Sequence, residues 1–252
     1  MHTNAIHDLQ PQLTANRRYW SGWASSSPDT DLPIYRTGIQ QGLLNGVLRI
    51  RNRGLDEAIE EARRQLAGTQ WSWWVGADSD EGTAEGLLAR GAELTVDMPV
   101  MAVDVTTVTS PAPAPTDLKI RLVSDRAEMY DYVRAYAEPL GFPADDLDTV
   151  VDREMRHADT SVVRLAGIVD GKTVGTCTLA LATDIGALYC IATDRDHRRR
   201  GVATALTMEA LRITRDSGRR IATLQASSEG EPVYRRIGFA TVSRYRLFRL
   251  PG

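Results

Sequence analysis

Three consecutive arginines, a glycine and an alanine stand together in residues 196–206, DHRRRGVATAL, at the spacing Arg198-x-x-Gly201-x-Ala203. An apolar run over 187–193 comes before them and reads as a buried strand; a helix follows, from Val202 to about Asp216. A strand feeding a basic, glycine-punctuated turn and then a helix start is an anion-binding arrangement. First-turn N–H groups have no intrahelical partner, and the helix dipole places partial positive charge at that end. Gly201 lets the backbone approach a ligand closely, and Ala203 keeps bulk away. The expected occupant is a diphosphate. The backbone N–H groups of Arg199, Arg200, Gly201, Val202, Ala203 and Thr204 would meet it, with Arg198 and Arg200 as side-chain donors. Arg195 and His197 add positive charge beside it.

The elements that must position this turn can be read around it. The second half begins with a strand at 118–122 and two helices at 125–139 and 144–157. Strands at 162–169 and 174–182 follow, joined by the turn Asp170-Gly171-Lys172. After the basic turn and its helix come a strand at 221–226, a short helix at 231–236 and a last strand at 241–249. Residues 109–117, TSPAPAPTD, carry three prolines and almost nothing to bury, which predicts a linker. Upstream, the pattern predicts a helix at 9–23, strands at 33–38 and 43–50, a helix at 55–67, a strand at 71–75, a helix at 83–90 and a strand at 96–105. The division is therefore an N-terminal domain over 1–108, the linker, and a working domain over 118–252.

The spacing at Arg198, Gly201 and Ala203 resembles the R/Q-x-x-G-x-G/A signature of the GNAT superfamily of N-acetyltransferases. Downstream, residues 224–239, LQASSEGEPVYRRIGF, place Ser227 seven positions before Tyr234 and Gly238-Phe239 four after it, which also fits that superfamily, as does the element order of 118–252. The resemblance implies an α/β (α+β) GNAT fold with a mixed central sheet flanked by helices. It also implies acetyl-coenzyme A as donor, held along Ile191, Ala192 and Thr193 where two strands splay apart, on the basic turn, and near Ser227. A backbone N–H in the splay would face the thioester oxygen. Tyr234 would be the general acid that protonates the departing sulfur, since a phenol of pKa about 10 arrives protonated at neutral pH.

The implied reaction is transfer of an acetyl group to an amine of a small molecule or peptide, by direct attack in a ternary complex. A longer acyl-coenzyme A, a carrier-protein-bound donor, transfer to oxygen, and a non-catalytic acyl-coenzyme A sensor stay open beside it. No acid or imidazole stands on the strand before the turn, so the general base is not identified. Asp184, Glu154 and His157 are candidates that read first as solvated surface groups. Asp145, Asp146, Asp148, Asp152 and Glu154 form an acidic stretch that would favour a cationic acceptor.

The first half repeats part of the second. Arg51-x-x-Gly54, helix, strand, short helix and Gly91 parallel the later order, and Gly54 to Gly91 spans the same 37 residues as Gly201 to Gly238. The chemistry is not repeated. Asp56 stands where Ala203 does and would repel a diphosphate, and Leu87 stands where Tyr234 does. The expectation is a tandem protein whose N-terminal half is a degenerate GNAT-like repeat. Trp71, Trp73 and Trp74 read as a buried strand rather than a ligand cage.

A net charge of −3 gives no reason to expect nucleic acid as a partner. No apolar run approaches the roughly 20 residues that span a bilayer, and residues 1–10 lack a signal-peptide core. Cys177 and Cys190 have no metal-ligand spacing and read as reduced core thiols. A cytoplasmic protein with no metal is expected, and a homodimer is left open.

Overall fold

The computed structural model describes residues 5–109, 113–142 and 146–251. Ten strands form one sheet in the order β1-β2-β3-β10-β4-β9-β8-β7-β6-β5. The first half supplies β1 (Ile34–Arg36), β2 (Asn45–Val47), β3 (Ser72–Val75) and β4 (Glu93–Asp104). The second supplies β5 (Lys119–Leu122), β6 (Val163–Val169), β7 (Lys172–Ala180), β8 (Gly186–Thr193), β9 (Ile221–Gln225) and β10 (Ala240–Arg249).

The order places the last strand of each half inside the sheet of the other. β10 pairs with β3 as well as β4, and β4 pairs with β9 as well as β10. The halves thus share one sheet through a long antiparallel β4–β10 ladder from Ala240↔Ala102 to Arg249↔Glu93. The connection containing the linker joins β4 to β5; its residues 110–112 lie outside the described ones.

Each half also has one parallel pair bridged by a helix, β2 with β3 and β8 with β9. One sheet face carries α1 (Leu9–Gly22), α4 (Arg126–Leu140) and α5 (Leu147–Met155) over a continuous core that includes Tyr19, Trp20, Trp74, Tyr132, Tyr136, Tyr189 and Tyr245. The other face has two cores. One packs α6 (Val202–Asp216) and α7 (Glu231–Ile237) on β7 to β9; the other packs α2 (Leu55–Gln65) and α3 (Thr83–Ala89) on Val47, Trp73 and Phe248. The tryptophan strand is therefore core, with Trp73 and Trp74 buried on opposite faces.

Local chemistry explains where the elements begin and end. Asp125 caps α4 by accepting from the Glu128 N–H at 2.9 Å, while Glu128 reaches back to the Ser124 N–H at 2.8 Å. β6 and β7 run right up to their turn, because Asp170 and Gly171 both take positive φ (49° and 78°), so the ladder closes at Val169↔Lys172. β1 and β2 are shorter than the sequence predicts. The Asn45 side chain accepts from the N–H groups of Thr37 and Gly38 and donates to the carbonyls of Ile39 and Gln70, replacing the ladder past Arg36. β4 starts earlier than predicted, since Glu93 and Leu94 are exposed yet pair with Arg249 and Phe248. Among the described residues no helix is long and apolar enough to cross a membrane.

Candidate functional site

β8 and β9 pair in parallel only at Gly186↔Ala222, Ala187↔Thr223 and Leu188↔Leu224. Beyond Leu188, β8 continues to Thr193 bonded only to β7, while β9 leans away and the Ala226 N–H reaches the carbonyl of Pro99 in β4. The edge of β8 that carries Ile191, Ala192 and Thr193 is thus free of ladder bonds on the β9 side. A bulge sharpens the departure: Cys190 has a φ of +48° and the β7–β8 register shifts between Thr178↔Tyr189 and Thr176↔Ala192. The Thr176 hydroxyl holds the bulge by donating to the Cys190 carbonyl at 2.7 Å.

The open edge runs into the basic turn. A short 3-10 turn at Arg195–His197 precedes it, capped by Asp194, which accepts from the Asp196 N–H at 3.1 Å. Arg199 (φ +61°) and Gly201 (φ +87°) then bend the backbone, and Gly201 is the N-cap of α6 without any side-chain cap on the first turn. The left-handed geometry suits glycine at 201, and the uncapped N–H groups keep their donor capacity. Arg198, Arg199 and Arg200 are all exposed, and Val202 is buried as the first core contact of α6.

Two of these arginines already meet carboxylates. Arg200 pairs with Asp117 at 2.7 Å, and Arg198 lies 3.8 Å from Glu229 and donates to the Thr193 carbonyl at 3.4 Å. His197 is tied to Asp194 at 3.0 Å, which is also 3.2 Å from Lys172, so its contribution to the positive patch is offset. The hydrogen bond from His197 is the largest influence holding the Asp194 carboxyl below its ordinary range. Arg195 and Arg198 line a groove of about 520 Å³ together with Lys172 and the α4 residues Asp131, Arg134 and Glu138. Lys172 was missed in the sequence because it reads as a turn residue.

Tyr234 lies on α7 in the same core as Val202 and Cys177, edge-on to Phe239 at 5.9 Å between centroids. Its ring is buried and its hydroxyl makes no hydrogen bond to a described residue. Burial pushes its acidity well below that of an ordinary phenol, with Cys177 adding to the effect, so the group holds its proton. Ser227 is exposed, and its Oγ accepts from the Gly230 N–H at 3.1 Å, closing the turn before α7. That leaves its O–H free to donate.

The candidates for a base are arranged otherwise than the sequence suggested. Glu154 and His157 are buried, not solvated. Glu154 accepts from Arg164 Nε at 2.8 Å and from the Tyr136 hydroxyl at 2.9 Å, so both of its oxygens are committed. His157 Nε2 donates to the Tyr19 carbonyl at 3.0 Å, while Nδ1 accepts from the Asp159 N–H at 3.2 Å. Burial, the largest influence, pulls the imidazole below its usual value and keeps it neutral. The charged partner of Glu154 was hidden in the sequence, because Arg164 alone on β6 gives no periodic signal. Asp184 is exposed, as expected. The acidic stretch is partly neutralised, with Asp152 against Arg126 at 2.5 Å and Arg156 at 3.5 Å; Asp145 lies outside the described residues.

The first half keeps the scaffold without the chemistry. Asn52 (φ +53°) repeats the bend of Arg199, but Gly54 takes a φ of −63° where Gly201 takes +87°. Asp56 is engaged by Arg90 at 2.5 and 2.8 Å in the first turn of α2, and Leu87 fills the place of Tyr234 as core. Both cysteines are free thiols; burial pushes Cys190 up to about 12 and Cys177 higher still. Among the described residues no group of three or more His, Cys, Asp or Glu could hold a metal ion.

Residues 126–239 match the acetyltransferase (GNAT) family. No curated protein matches the chain at a significant level. The fold is similar to that of a GCN5-related N-acetyltransferase from Kribbella flavida, with a TM-score of 0.68 at 16% identity, covering 96% of this chain and 95% of that one. It is similar also to a functionally unknown conserved protein from Staphylococcus epidermidis ATCC 12228 (TM-score 0.63, 14% identity, 89% and 92% covered). A tandem GNAT protein from the clavulanic acid biosynthesis pathway gives a TM-score of 0.61 at 15% identity, with 86% and 77% covered. At such identities the likeness is one of fold. With the family match lying over the splayed strands, the glycine turn and Tyr234, the second half of this chain is a domain of the GNAT acetyltransferase family, set in a tandem GNAT fold.

Proposed function

We propose that the protein is an N-acetyltransferase that takes its acyl group from acetyl-coenzyme A and passes it to an amine by direct attack. The family supports acyl transfer in general. The observation that carries the finer reading is the parting of β8 from β9 after Leu188, with the bare edge leading into an uncapped helix start. A coenzyme A thioester fits these residues. Its diphosphate matches the N–H groups of 199–204 and the side chains of Arg198 and Arg200, and its amide-bearing arm matches the unpaired edge of Ile191, Ala192 and Thr193. Bound there, it would supply the acyl group as an activated thioester.

The chain's own residues do the rest. The backbone of the splay orients the arm and offers N–H donors where negative charge develops. Asp117 and Glu229 are stand-in anions on Arg200 and Arg198, and the cofactor's phosphates would replace them. Tyr234, protonated and without a partner, donates its hydroxyl proton to the departing sulfur. Neither Glu154 nor His157 is free to accept the acceptor's proton, so that proton leaves through water or another group. Incubation with radiolabelled acetyl-coenzyme A and a panel of amines, amino sugars, amino acids and peptides tests this. Label on an amine product supports it; enzyme that binds no coenzyme A and labels nothing removes it.

A further inference from the structure

The segment that joins the two halves lies on the turn at Gly201. β4 ends at Asp104, opposite Ile221 at the start of β9, whereas β5 starts at Lys119, opposite Ile168 beside the β6–β7 turn. β8 ends at that same edge of the sheet, with Thr193 opposite Gly175. The connection therefore travels from one end of the sheet to the other and arrives where the basic turn stands. Its last part, residues 113–118, makes two contacts with that turn. The Pro115 ring sits against Gly201, with Cγ and Cδ 3.7 and 3.8 Å from where a Cβ on the glycine would stand. Two residues on, Asp117 holds Arg200 at 2.7 Å.

The segment has one fixed end. Leu118 packs on the core beneath α6, its Cδ1 and that of Leu206 both lying against Gly167. Leu206 belongs to the helix whose first turn the segment touches. A turn at Thr116 and Asp117 leads away from that anchor, closed by the Leu118 N–H donating to the Pro115 carbonyl at 3.2 Å. On the far side of the turn Pro113 and Pro115 fix φ, so that side moves as a stiff unit. What holds it down is weak. The side chains of Arg200 and Asp117 are 47% and 42% exposed, and an ion pair so open to water contributes little.

We infer that residues 113–117 are an autoinhibitory strap, closed on the diphosphate turn in the free protein and lifted when coenzyme A binds. The inference rests on the acyl-transfer reading above and adds to it a competition within the chain. Arg200 carries one positive charge, and Asp117 offsets it while the strap is closed. A diphosphate engaging the same guanidinium brings its own negative charge close to the carboxylate and repels it. Asp117 must then leave, and the Pro115 ring, two residues before it, leaves Gly201 with it. Because the strap is the chain between the halves, cofactor entry and release of the linker are a single event.

Hydrogen–deuterium exchange and titration calorimetry on the full chain test the strap. Saturating coenzyme A should speed exchange at the amides of 116–118, as the turn closed by Leu118 opens, while slowing it at 199–204. Asp117→Asn should raise coenzyme A affinity about two- to fivefold, the worth of one exposed ion pair. Between Arg200→Ala and the double variant Arg200→Ala, Asp117→Asn that gain should be absent, because the strap then has no guanidinium to hold. Slower exchange at 116–118 with cofactor bound would make the linker a wall of the site, and unchanged exchange would place it outside; either result overturns the strap. So does a gain from Asp117→Asn that persists without Arg200, the mark of a general field effect, or no gain at all. These outcomes leave the donor assignment standing, whereas a chain that binds no coenzyme A removes that assignment and the strap together.

Discussion

Replacing Tyr234 with Phe separates a chemical role from a structural one. The hydroxyl makes no hydrogen bond to a described residue, and the ring's contacts, with Phe239 edge-on at 5.9 Å, survive the change. Folding should therefore notice little, and the Tm should stay within about 2 °C of the original. Catalysis should notice more. General acids contribute about 10²- to 10⁴-fold. Two facts favour the lower end. A thiol ionises near pH 8.5, so its anion leaves without much help. Burial also makes this phenol a weaker acid than an ordinary one. The expected loss is about 100-fold in kcat, close to 2.7 kcal/mol, with coenzyme A affinity unaltered. Steady-state thiol release under saturating donor, paired with calorimetry, reads both numbers. Full turnover in Tyr234→Phe would refute the acid assignment, and an equal loss of cofactor affinity would show that Tyr234 is a binding contact instead.

Other expectations rest on packing and titration. A methyl at Gly22 would come within 2.3 Å of the His157 ring, so Gly22→Ala should cost about 1–3 kcal/mol of stability by urea unfolding; an unshifted midpoint would show that α1 sits more loosely on the segment that follows α5. Because His157 is neutral in the fold and titrates lower there than when unfolded, its stabilisation is present above about pH 6.5 and fades as pH falls. His157→Gln should flatten the fall in stability between pH 7 and 5, and parallel curves for the two proteins would contradict this. With Cys190 pushed up to about 12 and Cys177 higher, iodoacetamide at pH 8 should label the native protein at least about 10³-fold more slowly than the unfolded chain; prompt labelling would mean that the bulge opens to solvent.

What could be read in the sequence was what is local. The start of α6 at Val202 follows from the glycine and the amphipathic stripe behind it, and structure and expectation agree there over 202–216. Tyr234 and Gly238 were placed by spacing within a single short helix and its left-handed stop at Gly238. Long-range pairing was not legible. Nothing in residues 93–104 says that the strand will lie between β9 and β10, since strand order depends on contacts more than a hundred residues away. Buried charge misled for the same reason. Glu154 sits on a helix with an acidic face, and only Arg164 and Tyr136, brought in by the fold, make it an interior group. Asp78, between β3 and α3, is buried as well, and its carboxylate meets Arg17 from 61 residues away. The repeat of the two halves was visible in the glycine spacing, yet the structure adds that the kink survives at Asn52 while the left-handed cap at Gly54 is gone.

The central claim is that a coenzyme A thioester lies along the bare edge of β8 with its diphosphate on the turn at Gly201. Titration calorimetry with coenzyme A, on the unaltered protein and on Arg200→Glu, tests it most directly. Arg200 is exposed and paired only with Asp117 among the described residues, so its reversal leaves the core untouched. The account predicts one site per chain, weakened at least about tenfold by the reversal, the loss of a charge-assisted contact. Equal affinity in the two proteins, or no binding to either, would contradict it.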